Sequence, residues 1–358
     1  MSYPILYDSA ETDFSQGIGC GFLSDCVQCE VAEEANGEFE LYMRYPIDGI
    51  HFEDIANRCI IKVSLDKFRD QQIFRIYSIS KPMSKIVTIN AHHISYDLSG
   101  VPVSPFSAST AQLAMAGLKE NAAVDSPFEF WTDKETSGTF KVSMPSSIRS
   151  NLGGSEGSIL DVFGGEYEFD NYTVKLYNSR GEDRGFAIRY GKNLLDINQE
   201  ENVSSIATGV YPYWASSDGS TVVQLSEKVV NAPGTYDFVR ILPLDLSSYF
   251  SSKPTESKLR TAAENYVQNN NIGVPSVSIS VSFAQIDQSE EYKHLNLFER
   301  VSLFDTVHVE FPLLNVSTTA KVVKIVYDIL LDRIKTASIG SVKTNIADTV
   351  ASLQKTQK

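Results

Sequence analysis

The sequence predicts an α+β fold that is mainly β. Three observations carry this: apolar and polar residues alternate through the first hundred positions, helical spacing is confined to a few short segments, and the strand pattern returns from Ala207 onward. The 358 residues exceed what one hydrophobic core organises, so about two to four compact units are expected. The 19 Phe and 17 Tyr supply bulky side chains suited to sheets.

Within residues 1–100, Val27–Ala32 and Phe39–Tyr45 flank the turn signal Asn36-Gly37 and predict a hairpin. Cys59–Leu65, Gln72–Ser80 and Lys85–Ala91 extend it as a meander broken at Asp66–Asp70 and Lys81–Ser84. About five strands suffice for a small barrel or sandwich. Gly100, Pro102 and Pro105 then interrupt the pattern and place a boundary near residue 100. Ser109 is predicted to cap a helix carrying Leu113, Ala114, Gly117 and Leu118, and Ser158–Phe163 reads as a second helix stopped by Gly164-Gly165. Strands at Glu166–Tyr177 and Phe186–Gly191 complete an α+β unit over 101–206.

From Ala207, strands are predicted at Val210–Trp214, Thr221–Val230 and Phe238–Leu242. Leu259, Ala262, Ala263, Tyr266 and Val267 fall at helical spacing between Thr255 and Asn269, and strands resume at Ser276–Ile286. A second β unit is therefore expected over 207–250 and 275–342, with 251–274 as a helical insertion. Ile346, Val350 and Leu353 form a short apolar stripe in 343–358, expected as a C-terminal helix or the start of a coiled coil. Cys59–Asn90 and Val307–Ser338 echo one another in their order of strands, which predicts either an internal duplication or a coincidence of alternating patterns.

A formal charge of −14 weighs against a dedicated nucleic-acid binder, because such a surface repels phosphate. Met1–Gln16 lacks the basic start and apolar run of a signal peptide, and no window approaches the roughly 20 apolar residues of a membrane span, so folding in the cytosol is expected and no membrane insertion is evident. Cys20, Cys26, Cys29 and Cys59 are expected reduced; Cys26 and Cys29 have the spacing of half a zinc site without a second pair.

Candidate chemistry is sparse. Gly153-Gly154-Ser155-Glu156-Gly157 has the nucleophile-elbow string, yet polar Ser146–Asn151 precedes it where a buried strand is required, which favours a linker and helix cap. His92 and His93, adjacent at a strand end, face opposite ways and cannot hold one metal. His308 and Glu310 share a face while Val307 and Val309 face the other way, the pattern of a half-buried strand; His51 and His294 have no suitable partner in the sequence. Gly17, Gly19 and Gly21 read as a loop rather than a phosphate cradle. Arg180–Gly185 reads as a solvated charged hairpin rather than a calcium loop. The sequence thus assigns no catalytic, cofactor-binding or metal-binding residue. Two other readings stay open: a cell-wall peptidase or lysin module using Ser155 or a histidine, and a saccharide-binding adhesin presenting Trp131 or Trp214.

Several segments together resemble the tail-associated, or prophage endopeptidase tail, family of siphophages. They are Gln72-Ile73-Phe74-Arg75-Ile76-Tyr77 leading to Ala91-His92-His93-Ile94-Ser95-Tyr96-Asp97-Leu98, Arg180–Gly185 through Ile188–Leu194, and Phe304-Asp305-Thr306-Val307. The resemblance spans nearly the whole chain. It implies two related small β-barrel domains, the first at 1–100 and the second at 207–250 with 275–342, carrying inserted domains, as in the baseplate hub of contractile phages. It further implies a ring-forming homotrimer in the virion tail tip, assembled in the cytoplasm of a bacterial host. Such a hub would close the tail tube and contact the distal tail protein, the tape-measure protein and receptor-binding or cell-wall-degrading components. It would open for passage of DNA without sequence-specific binding. The endopeptidase in the family name is expected to belong to other segments, since no nucleophile, metal site or acid/base pair is legible here.

Overall fold

The structure, a computed structural model, describes residues 3–14, 17, 19–66, 69–80, 82–83, 85–189, 194–202, 207–216, 218–250, 252–270, 272–273, 276–283, 301–311 and 316–340. The expected terminal segment 343–358 lies outside the described residues.

The first unit consists of β1 (Ile5–Tyr7), β2 (Gly21–Phe22), β3 (Gln28–Glu34), β4 (Phe39–Pro46), β5 (Ile60–Val63), β6 (Gln72–Ser80) and β7 (Ile86–His93). Strict alternation drives it. Phe39, Leu41, Met43 and Tyr45 of β4 and Val87, Ile89 and Ala91 of β7 point into one core, where each fully buried side chain of this size contributes about 1.5–3 kcal/mol. The β3–β4 hairpin turns at Asn36, whose φ of 53° is a conformation that Asn adopts more readily than most residues.

A first insertion follows: β8 (Pro102–Val103), β9 (Phe106–Thr110), α1 (Ala111–Glu120), β10 (Glu129–Thr132), β11 (Ser137–Val142), β12 (Ser146–Ser147), α2 (Ile148–Leu152), α3 (Ile159–Phe163), β13 (Glu166–Asp170) and β14 (Thr173–Tyr177). Helix α1 is capped one residue later than predicted, by Thr110, whose hydroxyl accepts from the Leu113 N–H. The helix expected from Ser158 is α3, with Ser158 as its cap, and Gly164 closes it at φ 65° as expected.

Next come β15 (Asp183–Arg189) and β16 (Leu194–Asn202). The sequence reading assigned these residues to the 101–206 unit. Both are instead hydrogen-bonded into the main sheet, through partners far downstream. Residues 207–250, expected in the second β unit, instead form a sheet of their own that joins the helix in a second insertion: β17 (Gly209–Ala215), β18 (Val222–Gln224), β19 (Val230–Asn231), β20 (Ile241–Asp245) and α4 (Glu256–Asn269) share a core of Val210, Trp214, Leu244, Leu246, Leu259 and Ala263. The strand expected at Thr221–Val230 is split by a turn in which Lys228 takes φ 64°, and that expected at Phe238–Leu242 starts at Ile241, where parallel pairing with β17 begins. The predicted helix is α4, capped by Thr255.

Finally β21 (Ser276–Phe283), β22 (Thr306–Phe311), β23 (Val316–Asp328) and β24 (Arg333–Gly340) return to the main sheet. That curled, 13-stranded sheet holds two copies of one topology. In the first unit the spatial order is β3-β4-β7-β6-β5-β1; in the second it is β16-β21-β24-β23-β22-β15. Taken in chain order, each unit is one flanking strand and five further strands paired in the same sequence. The registers match as well. Ile60 opposite Arg75 and Val63 opposite Gln72 correspond to Thr306 opposite Lys321 and Val309 opposite Thr318. A one-residue bulge follows at the same place in both, after Ile76 and after Val322. The units differ at the flanking strand, where β1 is antiparallel to β5 but β15 is parallel to β22.

Candidate functional site: joints, open edges and an apolar rim

The residues that could carry chemistry are engaged in structure. Ser155 lies in an exposed turn and donates to the Ser150 carbonyl (3.0 Å). His51 pairs with Asp54 (3.1 Å), and His308 lies 3.1 Å from Asp183. His92 is sandwiched between Tyr77 and Tyr96 with Nε2 3.1 Å from Glu40, while His93 points the other way and is fully buried. His294 lies outside the described residues. Cys26 and Cys29 are buried, the Cys26 thiol donating to the Gln28 carbonyl (3.1 Å), and burial followed by the neighbouring Cys26 pushes the Cys29 thiol well up. Among the described residues, no three His, Cys, Asp or Glu side chains gather as for a metal ion. Trp214 is core; Trp131 is half exposed and leans on Tyr177.

The family-like segments meet in space as structural joints. At the joint between the first unit and the first insertion, Gln72 accepts from the Asn171 N–H (3.1 Å) and donates to Asp170 (3.0 Å), with its oxygen 3.1 Å from His93 Nε2. Burial, then the charges of Arg69 and Arg149, holds the His93 imidazole well below its ordinary value, so it is neutral. Arg149 beside it lies between the rings of Tyr96 (4.2 Å) and Phe169 (4.7 Å) and donates to Ser95 Oγ (3.2 Å).

Most of Arg180–Gly185 is exposed, as expected of a solvated charged loop, but the second joint also anchors it. Arg180 donates to the Tyr167 carbonyl (2.6 Å) and lies over the Phe304 ring (4.8 Å). Asp305, almost fully buried, accepts from the N–H groups of Glu182 (2.9 Å) and Ser302 (2.8 Å) and from Arg184 (2.9 Å). Gly181, at φ 75°, lets the backbone close in: a Cβ there would sit 2.1 Å from the Phe304 carbonyl oxygen. The loop is therefore a clasp between the first insertion and the second unit.

Between the two units runs a seam. The second half of β23 pairs antiparallel with β3, Lys324 opposite Glu34 through Asp328 opposite Glu30. Inside the seam Arg69, largely covered, donates to the buried Glu33 (2.6 Å), with Tyr327 beside them. Burial alone would lower the Arg69 guanidinium, but the Glu33 charge raises it above its ordinary value. Lys324–Glu38 and Lys335–Glu30 (2.6 Å each) flank the seam nearer solvent.

Two edges equivalent to those of the seam lie open. Among the described residues, β16, the counterpart of β3, is the last strand of the sheet path. On β6, the counterpart of β23, β5 covers Gln72–Arg75, and among the described residues no strand covers Ser78–Ser80 on the side away from β7. These edges, absent as a pair from any reading of the sequence, are visible only once the two units are superposed strand for strand.

A third feature is an apolar rim. The Val27 N–H donates to the Arg44 carbonyl, Ile47 to Lys85, Ile50 to Asp25 and Ile329 to Cys29, which gathers the hairpin ends together. Val27, Ile47, Ile50, Met83 and Leu331 are exposed there, Met83 fully. Met83 and Leu331 occupy the equivalent turns of the two units, between β6 and β7 and between β23 and β24. Both insertions leave from the other ends of these strands, after β7 and after β16, and touch each other where Tyr249 donates to Asp161 (2.6 Å) beside a cleft of about 330 Å³. Among the described residues, no helix is long and apolar enough to cross a membrane.

Residues 182–350, which take in all six strands of the second unit, match the model of the prophage endopeptidase tail family. The whole fold is similar to prophage tail protein gp18 from Listeria monocytogenes EGD-e, with 13% identity, a TM-score of 0.63 and 99% of each chain covered. It is also similar to the tail protein from Neisseria meningitidis MC58 (10% identity, TM-score 0.59, 97% of this chain and 99% of that one). The 43 kDa tail protein of prophage MuSo2 from Shewanella oneidensis shares 9% identity at a TM-score of 0.54, over 96% and 98% of the two chains. No curated protein matches the chain.

Proposed function

We propose that this prophage tail protein, which carries the endopeptidase tail family's pattern over residues 182–350, is a non-enzymatic ring subunit of the tail tip: a hub that assembles as a homotrimer and closes the tail tube. The observation that carries the reading is the pair of units that share five strands in one pairing order and register, joined edge to edge within one chain. Three copies present six equivalent units, so a threefold assembly offers a sixfold face to a neighbouring tail ring. The equivalent exposed turns at Met83 and Leu331 supply that face with repeated apolar contacts, suited to the distal tail protein. The insertions, on the other side, are free to meet the tape-measure protein and the receptor-binding or wall-degrading components. DNA would pass through the ring once the adsorption apparatus engages the host. A net charge of −14 suits a passage that does not retain DNA.

The non-enzymatic reading is supported by the engagement, among the described residues, of Ser155, His92, His93 and His308 in turns, stacks and joints. The mass of the full chain in solution, measured by light scattering across concentration and again with the distal tail protein added, tests the reading. Three chain masses in either condition are expected. A strict monomer in both sinks the ring. Release of cell-wall peptides by the purified chain would return the peptidase alternative.

A further inference from the structure

We propose that the ring closes by strand addition: β16 of one copy pairs antiparallel with the open half of β6 in the next, Asn202 opposite Ser78, Glu201 opposite Ile79 and Glu200 opposite Ser80. This rests on the ring reading above and names the contact that forms it.

The register comes from the internal seam. There β23 lays Lys324, Ile325 and Val326 opposite Glu34, Glu33 and Ala32 of β3. Strand β6 is the counterpart of β23, because Ile76 opposite Ala91 and Ser78 opposite Asn90 match Val322 opposite Ile339 and Lys324 opposite Ser338, each pair straddling the shared bulge. Strand β16 is the counterpart of β3 in the same way. Val31 faces Leu41 and Leu41 faces Ala91 in one unit; Gln199 faces Ile279 and Ile279 faces Ile339 in the other. Carrying the seam across these equivalences leaves one register.

Open edge strands template pairing with another chain, and here the two edges are complementary and lie apart on the sheet path. Such a contact is heterologous, joining copies head to tail until the ring closes. Pro82 stands just beyond the pairing stretch of β6; with no N–H to donate, it ends the ladder there. The pairing parity also follows. The Ala35 N–H donates to the Val323 carbonyl (2.8 Å), so Glu33 with Ile325 is the next hydrogen-bonded pair and Ala32 with Val326 is not. By equivalence the Ile79 N–H points outward to the neighbouring copy, while Ser80 and Glu200 face each other at the closer, non-hydrogen-bonded spacing that a disulfide can bridge.

The test uses the full chain with exposed Cys20 replaced (Cys20→Ser) and the pair Ser80→Cys with Glu200→Cys, under mild oxidation. Covalent dimers and trimers, with the ladder ending at three and absent from either single-cysteine variant, are expected. Separately, Ile79→Pro removes the outward N–H, with Ile79→Ala as the control for the lost side chain; it should weaken association by roughly tenfold or more relative to that control with the circular dichroism of the chain unchanged. A trimer of the unmodified chain that gives no cross-link above the single-cysteine controls and tolerates Ile79→Pro overturns this pairing and leaves the ring standing. A chain that is monomeric alone and with the distal tail protein, and gives no cross-link, overturns both.

Discussion

The first unit joins β3 to β4 by a tight turn at Asn36, whereas the second joins the equivalent strands β16 and β21 through a complete folded domain. Their registers are nevertheless the same. Register is fixed by which residues must face the core, since a one-residue slip would turn every apolar side chain outward. The hairpin end carries no such constraint, and loop-closure entropy rises only slowly with length, so a domain can occupy it. The units also differ at their edges: β3 is covered by β23, and β16 is open among the described residues. One topology thus supplies a finished contact inside the chain and the template of a second contact outside it.

The sharpest way to break this comparison is to attack the finished contact. Arg69→Met leaves Glu33 buried and unpaired in the seam, and should cost about 3–5 kcal/mol in urea unfolding. Adding Glu33→Gln should restore most of that loss, because the expense lies in the stranded charge rather than in the missing ion pair.

The clasp should be the next most sensitive place. Asp305→Asn keeps the shape but loses the charge on which Arg184 and two backbone N–H groups converge. A loss of about 1.5–3 kcal/mol is expected from charge-assisted hydrogen bonds of this kind, measured by the same unfolding. A smaller change in urea midpoint than for Arg69→Met would place the weight of the second unit's attachment on the seam.

Acid separates the two joints, because the first holds a fully buried neutral histidine, His93, and the second is centred on a carboxylate, Asp305. His93 is held neutral well below its ordinary value of 6.5, so between pH 6.5 and that lower value the unfolded chain binds a proton that the folded chain does not. Its contribution to stability is therefore full above about pH 6.5 and falls as pH drops, by at most about 1.4 kcal/mol per pH unit. His93→Gln should flatten the fall in melting temperature between pH 6.5 and 5 relative to the native chain, while Asp305→Asn should leave that slope in place.

The parts legible in the sequence are those whose partners are close in it. The Asn36 turn, the helices at Ser158–Phe163 and between Thr255 and Asn269 and the meander over Cys59–Ala91 all rest on neighbours close in sequence. Strands β15 and β16 were grouped with the wrong neighbours because they pair with β22 and β21, across the whole second insertion. The anchoring of Arg180–Gly185 is illegible for the same reason: locally it is a run of charges and glycine, and Phe304 and Asp305, which hold it, lie far along the chain. The echo between Cys59–Asn90 and Val307–Ser338 showed only three strands of each unit. The remaining equivalences are divided by the insertions, so no single window of sequence contains them.

The smallest expected effect lies at the margin of the seam. Lys335 reaches Glu30 from β24 at 2.6 Å, nearly the separation of Arg69 from Glu33, yet its side chain is about half exposed. Water already solvates this ammonium, and ordering a long side chain offsets much of the Coulomb gain, so Lys335→Ala should cost no more than about 1 kcal/mol. Raising the salt concentration should reduce even that difference, because screening acts on the solvated pair and hardly on the buried one. Two ion pairs of equal length in one seam would then differ several-fold in worth by burial alone. That difference would locate the strength of the seam, and by equivalence of any contact built on its pattern, in the covered backbone ladder and its interior rather than in the charges along its margin.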